Sequence, residues 1–375
     1  MTGRLVHLDA AGCALQSSAT VEAQVSYTRR EGEVGGYEAA REAEGTLERA
    51  TGHLARLLGV QASEIAFVEN ATRGFAELLA AWPLRRGAKV GVVPGEYGSN
   101  VMALQARARR EAWELVVLRT DPGGRLDLED LAGSLRRGLD LVVLPHIPSH
   151  RGTTQPAADA AALCREAGAP LVVDVAQSLG QVDASRIDAD AYVGTSRKWL
   201  RGPRGVGFVA VRTPLADTLA PPFPNLGTAR LQDSQPVFGE GARRLELGES
   251  SLASRVGLAM ALAELSDTGT AATTSRIVAL AVAARRRLAG INGWQLVEGD
   301  GADVTGTVTL RHDRMLPDRT ARFLRSEGVV VAPVPVERAP LEMRRPVLRA
   351  SFHVYCTEGC VDALASALER APRVL

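Results

Sequence analysis

Cysteine and long apolar runs are both scarce in this sequence. Its 375 residues include four cysteines and no CxxC pair. We therefore expect reduced, packed thiols and no metal site, although His353, Cys356 and Cys360 have the spacing of a weak ligand cluster. No apolar run approaches the roughly 20 residues that span a bilayer, and residues 1–11 lack the apolar core of a signal peptide. These absences predict a cytoplasmic protein.

An excess of either charge is also missing. Lysine and arginine together number 44 against 43 aspartates and glutamates, a formal net charge of +1. No whole-chain field would therefore attract nucleic acid or an anionic membrane. Hydrophobic residues make up 46% and charged residues 23% of the chain, which is typical of a folded globular protein. We expect a small-molecule substrate and neither a nucleic-acid nor a membrane partner.

Between residues 60 and 212, short β-branched runs alternate with longer Ala/Leu/Arg stretches of helical period. This alternation is typical of strand–helix units in a parallel sheet and predicts the α/β class. The predicted strands are residues 64–68, 89–93, 114–118, 141–145, 170–174, 191–194 and 207–211. The predicted helices are residues 72–82, 99–110, 126–137 and 157–168, with Gly87 and Gly168 expected just past helix ends.

The tail of the sequence differs in character after a proline-rich break at residues 221–224. Its predicted helices are 255–265, 277–288, 320–327 and 358–371, and its predicted strands are 294–298, 304–310 and 329–334. We expect an N-terminal segment of residues 1–20, a large domain of residues 21–254 and a smaller α+β domain of residues 255–375.

Two polar side chains stand out beside buried strands. Asp174 ends the strand of residues 170–174, at the sheet edge where open α/β folds bind ligands. Lys198 lies in a short turn before a Gly/Pro loop, in a chain whose basic residues are nearly all arginine. Alone, Asp174 would suit a helix cap and Lys198 a solvated side chain. Together they suit pyridoxal phosphate, whose aldehyde bonds to a lysine and whose ring nitrogen must stay protonated.

These residues resemble those of the fold-type I pyridoxal phosphate enzymes, specifically the class V aminotransferase and cysteine desulfurase group. The resemblance extends over nearly the whole chain, from residues 7–11 to residues 349–355, with the motifs in the same order. It implies a large, mostly parallel-sheet domain that binds pyridoxal 5'-phosphate, a smaller α+β domain with the C-terminus, and a homodimer.

Site residues follow from the resemblance position by position. It implies that Lys198 bonds to the cofactor, that Asp174 holds the ring nitrogen, and that Tyr97 stacks on the ring as a third catalytic residue. The other implied cofactor contacts are Ala71, Thr72, Gln177, Thr195 and Arg197. The implied substrate contacts are Arg349, which would fork onto the α-carboxylate, and Asp9, Ser149, His150 and Arg151. A structural role for His150 and a plain helix start at Thr72 remain alternatives.

Two departures from the desulfurase pattern narrow the function, and a third alters the expected contact between subunits. Residues 334–345 contain no cysteine where desulfurases carry a nucleophilic one, which makes persulfide formation improbable. Residues 145–152 carry two histidines and an arginine instead, and these would suit a substrate with an anionic or polar tail. Glu249 replaces a hydroxyl residue in the loop that reaches the partner subunit's phosphate, so that contact is expected to shift to Ser250, Ser251 or backbone N–H groups.

The motifs at residues 33–37, 96–97, 149–152 and 196–200 closely resemble those of the carbon–sulfur lyases of ergothioneine biosynthesis and their relatives in lincosamide antibiotic biosynthesis. This implies β-elimination from an S-substituted cysteine or its sulfoxide, which yields a thiol or sulfenate, pyruvate and ammonia. Two alternatives stay open. One is decarboxylation-dependent oxidative deamination to an aldehyde, and the other is a non-catalytic protein that binds the cofactor.

Overall fold

The computed structural model describes residues 5–298 and 304–372, so residues 1–4 of the predicted N-terminal segment and residues 299–303 and 373–375 of the predicted small domain lie outside the described residues. The helices are α1 (Ala10–Cys13), α2 (Ser18–Val34), α3 (Gly36–Leu58), α4 (Ala71–Ala81), α5 (Gly98–Glu111), α6 (Leu128–Arg136), α7 (Ala157–Ala167), α8 (Thr213–Ala216), α9 (Leu252–Thr268), α10 (Thr270–Leu288), α11 (Pro317–Ser326) and α12 (Glu358–Arg370). The strands are β1 (Val6–His7), β2 (Ile65–Val68), β3 (Lys89–Val92), β4 (Glu114–Val117), β5 (Leu141–Pro145), β6 (Leu171–Asp174), β7 (Ala191–Thr195), β8 (Gly207–Val211), β9 (Ala229–Gln232), β10 (Gln235–Phe238), β11 (Gln295–Leu296), β12 (Thr307–Arg311), β13 (Val329–Val330), β14 (Ala332–Val334) and β15 (Val347–Ser351).

Seven strands form the central sheet in the order β2-β8-β7-β6-β5-β3-β4. Parallel pairing runs without interruption from β4 through β3, β5 and β6 to β7. β8 is antiparallel to both of its neighbours, β7 and β2. The connection from β7 to β8 at residues 196–206 holds no helix and is too short for a parallel crossover. The predicted α/β class with a mostly parallel sheet is confirmed.

The central strands read as continuous apolar runs because both faces of the sheet are covered. All five residues of β5, β7 and β8 are buried. Successive side chains of a strand point to opposite faces, so Leu144 and Val173 join one apolar cluster whereas Val143 and Val172 join another. A strand buried on both faces shows no polar alternation, which is why the sequence pattern located these strands well.

Local sequence signals account for most helix ends in the large domain. Asn70 caps α4 by accepting a hydrogen bond from the Arg73 N–H at 2.9 Å. α4 stops at Ala81 because Trp82 precedes a proline and is extended, with ψ 122°. Gly168 ends α7 in the left-handed conformation, with φ +68°. Gly87 lies instead in the turn before β3. No described helix is both long and apolar enough to cross a membrane.

The C-terminal part of the chain has a core of its own. β11, β12, β15 and β14 form an antiparallel sheet, and Trp294 and Phe352 are fully buried between this sheet and the helices α10, α11 and α12. The N-terminus joins the same unit, since Val6 pairs with Val329 and Leu8 is fully buried in its core. β15 was not predicted from the sequence, although it crosses the centre of this sheet.

Helix α9 packs with the large domain. Leu258, Ala259 and Leu262 belong to the apolar cluster under the central sheet, whereas the C-terminal core begins at Leu280 in α10. The packing therefore assigns α9 to the core of the large domain, while the predicted boundary at residue 255 stays a prediction. α9 lies against α2 and α3, two helices that the sequence pattern did not reveal.

Candidate active site

A cavity opens at the carboxyl ends of β5, β6 and β7. It brings together all eight residues that the sequence predicts as cofactor contacts, and Ser149 from the predicted substrate contacts. Asp9, His150, Arg151 and Arg349 are not among its lining residues. The lining residues are Asn70, Ala71, Thr72, Tyr97, Asn100, Pro145, Ile147, Ser149, Asp174, Ala176, Gln177, Thr195, Arg197 and Lys198.

Asp174 presents a buried carboxylate at the end of β6. Its Oδ1 accepts a hydrogen bond from the Ala176 N–H at 2.8 Å, and its Oδ2 accepts one from Asn100 Nδ2 at 3.1 Å. Burial is the largest influence and raises the pKa of Asp174 above its usual value, although the nearby Lys198 ammonium and these two donors act in the opposite direction. The carboxylate is therefore fixed in position by groups that favour its charged form.

Lys198 faces Asp174 from the turn that follows β7. Burial, together with the positive charges of Arg197, Arg349 and Arg338, lowers the pKa of the Lys198 amine to about 7, although the Asp174 charge acts in the opposite direction. An amine with this pKa is uncharged in a large fraction of molecules near neutral pH. Lys198 is therefore able to act as a nucleophile or a proton acceptor without a large pH change.

The N-terminus of α4 borders the cavity. Ala71 and Thr72 occupy the first turn, whose N–H groups have no acceptor within the helix. Gly207 of β8 faces this turn so closely that a Cβ there would lie 2.6 Å from the Asn70 Cα. Glycine thus lets the strand approach the helix end. Free N–H groups and the helix dipole favour an anion such as phosphate at this position.

Tyr97 lines the cavity from the turn before α5. Its ring centroid lies 5.9 Å from Lys198 Nζ and 5.7 Å from the guanidinium carbon of Arg338, and Arg338 Nη1 donates to the Tyr97 hydroxyl at 2.9 Å. A Cβ on Gly98 would lie 1.9 Å from the Glu337 carbonyl oxygen. Glycine is therefore required at 98 for the segment Val336–Arg338 to approach Tyr97. Stacking of Tyr97 on a cofactor ring stays a prediction.

Gln177 and Arg197 connect the cavity to the N-terminal segment. Gln177 Nε2 donates to the Ala11 carbonyl oxygen at 3.0 Å, and Gln177 Oε1 accepts from Trp199 Nε1 at 2.9 Å. Arg197 donates to the Gly12 carbonyl oxygen. Both predicted cofactor contacts thus also anchor the segment that follows β1.

Arg349 is buried next to the cavity with its guanidinium already held in place. Its Nη2 donates to Asp9 Oδ1 at 2.9 Å, and its Nη1 donates to the Ser149 carbonyl oxygen at 2.5 Å. Its Nε is buried and has no hydrogen-bond partner among the described residues. Asp9 therefore holds the guanidinium of Arg349 in place, and the unpaired Nε–H of Arg349 remains available to a ligand.

Comparison with known proteins agrees with this geometry. The family model "Aminotransferase class-V" matches residues 6–364. The chain is 38% identical to a probable hercynylcysteine sulfoxide lyase of Mycobacterium tuberculosis (strain CDC 1551 / Oshkosh), over 98% of this chain and 90% of that protein. The chain belongs to the class V aminotransferase family. The predicted family relationship is confirmed.

Other class V relatives include a cysteine desulfurase of Haloferax volcanii, 26% identical over 99% of this chain and 90% of that protein. Among solved structures, the apo cysteine desulfurase from Thermococcus onnurineus NA1 superposes with a TM-score of 0.89 at 23% identity, covering 97% of this chain and 94% of that chain. The cystine C–S lyase C-DES, in complex with cysteine persulfide, superposes with a TM-score of 0.86 at 22% identity, over 98% and 97%.

The cavity fits pyridoxal 5'-phosphate, the cofactor of class V enzymes. The α4 N-terminus offers donors for the phosphate, Asp174 an anion for the ring nitrogen and Lys198 an amine for the aldehyde. The buried Ser149 hydroxyl has no hydrogen-bond partner in the described part of the chain, so the cavity wall keeps a polar group for a ligand. The predicted cofactor is confirmed, and the chain is a pyridoxal-phosphate-dependent enzyme.

Ser149 of this class V chain lines the cavity, whereas the neighbouring His150 and Arg151 do not and contact Glu342 instead. His150 Nε2 lies 3.2 Å from Glu342 Oε2, and Arg151 pairs with the same carboxylate. Arg151 Nη1 also donates to the Gly123 carbonyl oxygen at 2.7 Å. His146 is buried as well, and burial lowers its pKa to about 4, so its ring is neutral. These contacts engage both side chains within the protein, so a substrate contact of His150 or Arg151 stays a prediction.

Sequence reasoning missed three groups at this class V site. Glu342 and Arg338 come from the segment that follows β14, and no local pattern ties them to residues near 97 or 150. Asn100, which contacts Asp174, was not singled out in the sequence either. Its signal was nevertheless present, since Glu96 and Asn100 are two polar residues one helical turn apart directly after a buried strand.

Proposed function

We propose that this enzyme is a carbon–sulfur lyase that performs β-elimination on an S-substituted cysteine. The observation that carries the proposal is the placement of Lys198 and Asp174 in one cavity that no cysteine borders. The identity of 38% to a probable hercynylcysteine sulfoxide lyase supports the same type of reaction. When bound, the cofactor supplies an electron-withdrawing ring that stabilises negative charge at the substrate Cα.

Lys198 is the proposed general base. Once the substrate amine has displaced it, the Lys198 amine accepts the proton from the substrate Cα. The electron pair left at Cα forms the Cα–Cβ double bond as the Cβ–sulfur bond breaks, and sulfur leaves with its electrons. The three-carbon enamine that is released hydrolyses to pyruvate and ammonia. Asp174 holds the positive charge of the ring nitrogen throughout.

Arg349 is the proposed carboxylate-binding residue. Its guanidinium is fixed by Asp9 and by the Ser149 carbonyl oxygen, so its orientation is set before the substrate arrives. A planar bidentate donor orients the α-carboxylate and thereby the Cα–H bond. This alignment favours proton removal over loss of carbon dioxide. Asp9 is then a positioning residue and not a direct substrate contact.

The absence of a suitable cysteine argues against persulfide formation. All four cysteines lie in the described part of the chain, and none borders the cavity. Cys164 and Cys356 are buried, and burial raises the pKa of the Cys356 thiol to about 11, which disfavours the thiolate. The segment that follows β14 presents Arg338 near Tyr97 instead. Sulfur therefore leaves with the substrate's own substituent.

The substituent that we propose is the one that the sequence resemblance implies, an ergothioneine- or lincosamide-type precursor with a thioether or sulfoxide sulfur. A thioether would release a thiol, and a sulfoxide would release a sulfenate. The relative from Mycobacterium tuberculosis is named for a sulfoxide substrate, which supports the ergothioneine-type precursor. A cytoplasmic location stays a prediction from the sequence.

We also propose a homodimer. Large apolar side chains are exposed around the β9–β10 hairpin, with Phe223 at 59%, Leu226 at 102% and Leu231 at 79% of full exposure. Tyr37, exposed to 94%, lines a groove together with Asn225 and Ser250 from the same region. Several large exposed apolar side chains in one region of the chain are typical of a subunit interface. Ser251 caps α9, so Ser250 is the hydroxyl available to a partner's phosphate.

Product analysis of the holoenzyme tests the proposed reaction. The enzyme is incubated with S-substituted cysteines and their sulfoxides, and the products are identified by mass spectrometry. We expect pyruvate and ammonia in equal amounts. An aldehyde with carbon dioxide would replace the proposal by decarboxylative oxidative deamination. Absence of turnover with cofactor bound would favour a binding protein.

The two lysines of the sequence provide a matched pair of variants. Lys198→Ala should lower kcat by at least about a hundredfold, because the general base is lost. Lys89→Arg should leave kcat unchanged, since Lys89 lies at the start of β3 with its ammonium 3.8 Å from Glu114. Equal losses in both variants would contradict the role given to Lys198.

A further inference from the structure

A second buried carboxyl group lies behind Asp174. Glu96 follows β3, and its side chain is fully buried. Glu96 Oε1 accepts hydrogen bonds from the Tyr97 N–H at 2.7 Å and from Asn100 Nδ2 at 2.9 Å. Glu96 Oε2 is buried and has no hydrogen-bond partner among the described residues. The proposed reaction assigns no role to this group.

Asn100 connects the two carboxyl groups. Its amide nitrogen lies 2.9 Å from Glu96 Oε1 and 3.1 Å from Asp174 Oδ2. Both neighbours are acceptors, and an asparagine amide has two N–H donors, so one hydrogen serves each carboxyl group. Glu96 thereby keeps the NH₂ group of Asn100, and not its carbonyl oxygen, directed at Asp174.

The surroundings decide which of the two carboxyl groups carries the charge. Asp174 is close to the Lys198 ammonium and receives the Ala176 and Asn100 donors. Glu96 has no cation among the described groups that act on it, and its unpaired Oε2 would be costly to bury as an anion. Burial and the Asp174 charge raise the pKa of Glu96 to about 8. The proton of the pair therefore lies on Glu96.

We propose that Glu96 and Asn100 are positioning residues. Glu96, as a neutral carboxylic acid, orients the Asn100 amide, and this amide holds Asp174 as the single anion that faces the cofactor's ring nitrogen. The arrangement rests on the role given to Asp174 in the proposed function. It explains why two acidic side chains share one buried site without mutual repulsion, and why an amide with two donors stands between them.

Binding of two cofactor analogues to the apoenzyme tests this role without any turnover. One analogue is pyridoxal phosphate itself, and the other is 1-deazapyridoxal phosphate, which lacks the ring nitrogen. The dissociation constant of the deaza analogue divided by that of pyridoxal phosphate measures the contact between Asp174 and the ring nitrogen. Glu96→Gln keeps a neutral side chain with an acceptor and should change the ratio by less than about twofold. Asn100→Leu and Glu96→Leu remove the donor or its orienting partner and should lower the ratio about tenfold.

Two variants calibrate the measurement. Asp174→Asn should lower the ratio at least as far as Asn100→Leu does. Glu64→Gln changes a buried carboxyl group away from the cavity and should leave the ratio unchanged. The proposal is overturned if Glu96→Gln lowers the ratio as far as Asp174→Asn, since Glu96 would then carry charge. It is also overturned if Asn100→Leu weakens both analogues equally. Intact ratios without lyase turnover would contradict only the proposed reaction.

Discussion

Lys198 gains its reactivity from its surroundings. Burial and three arginines lower the pKa of its amine to about 7, and Asp174 acts in the opposite direction. Arg338 is the most exposed of those arginines and comes from the segment that follows β14. The amine is protonated below its pKa and uncharged above it. Its reactivity toward an aldehyde therefore increases as the pH rises through about 7.

Recombination of the apoenzyme with pyridoxal phosphate should follow this titration. We expect the second-order rate constant, measured by stopped-flow absorbance, to rise with pH, to reach half of its maximum near pH 7, and to level off roughly one unit higher. Arg338→Gln removes a positive charge, which raises the pKa of Lys198, so the midpoint should move to higher pH by less than about one unit. Arg344→Gln, an exposed arginine of the same segment, serves as the control. A shift to lower pH in Arg338→Gln would refute this account.

Two close approaches of backbone shape the site at the level of secondary structure. Gly207 of β8 contacts the first turn of α4, and Gly98 of α5 contacts the Glu337 carbonyl oxygen. The first contact shapes the end of the cavity where phosphate is expected. The second keeps Arg338 within hydrogen-bond distance of Tyr97. A side chain at either position would separate elements that the site requires to be adjacent.

Gly98→Ala should displace the segment Val336–Arg338, because a Cβ would lie 1.9 Å from the Glu337 carbonyl oxygen. We expect a loss of about 1–3 kcal/mol in unfolding free energy, measured by denaturant titration, and a higher KM for the amino-acid substrate. Gly45→Ala in α3 is the control, since its Cβ would have room, 3.5 Å from Arg49. The control should gain about 0.5–1 kcal/mol. An unchanged unfolding free energy in Gly98→Ala would show that the segment Val336–Arg338 moves aside without cost, which would contradict this prediction.

The whole molecule joins two cores through the N-terminal segment. Residues 6–8 belong to the C-terminal core, Asp9 pairs with Arg349, and Ala11 reaches Gln177 at the end of the central sheet. The active site is therefore assembled from both units. On the outside, the exposed side chains around the β9–β10 hairpin form the surface that the proposed dimer would bury.

Sedimentation of the purified enzyme should give twice the chain mass of 39.7 kDa. Leu231→Asp places a charge in the exposed apolar patch and should convert the dimer into monomers, because an unpaired charge is costly at the core of an interface. Met102→Asp, which alters an exposed apolar residue of α5, should leave the mass unchanged. A monomeric wild-type enzyme would refute the proposed assembly.

Pattern reasoning located every end of the seven central strands to within one residue, and the bounds of β5 and β8 agree fully. Strands buried on both faces are continuous apolar runs, so one segment of sequence suffices to recognise them. α2 was missed because only Thr20 and Tyr27 of its residues are buried, and its position depends on packing against α9. The β9–β10 hairpin was missed because its strands are almost entirely exposed.

The sequence alone determined the α/β class, the family, the cofactor and the candidate roles of Asp174 and Lys198, because each depends on the order of residues along the chain: the class on the strand–helix alternation, and the others on motifs beside buried strands. The tertiary structure decided the partners of the charged groups. Glu342 lies nearly two hundred residues from His150 and Arg151, yet its carboxylate pairs with Arg151 and lies 3.2 Å from His150 Nε2. Asn100 donates hydrogen bonds both to Glu96, which follows β3, and to Asp174, which ends β6. Ion pairs and buried hydrogen bonds between distant segments depend on distances that only the folded chain establishes.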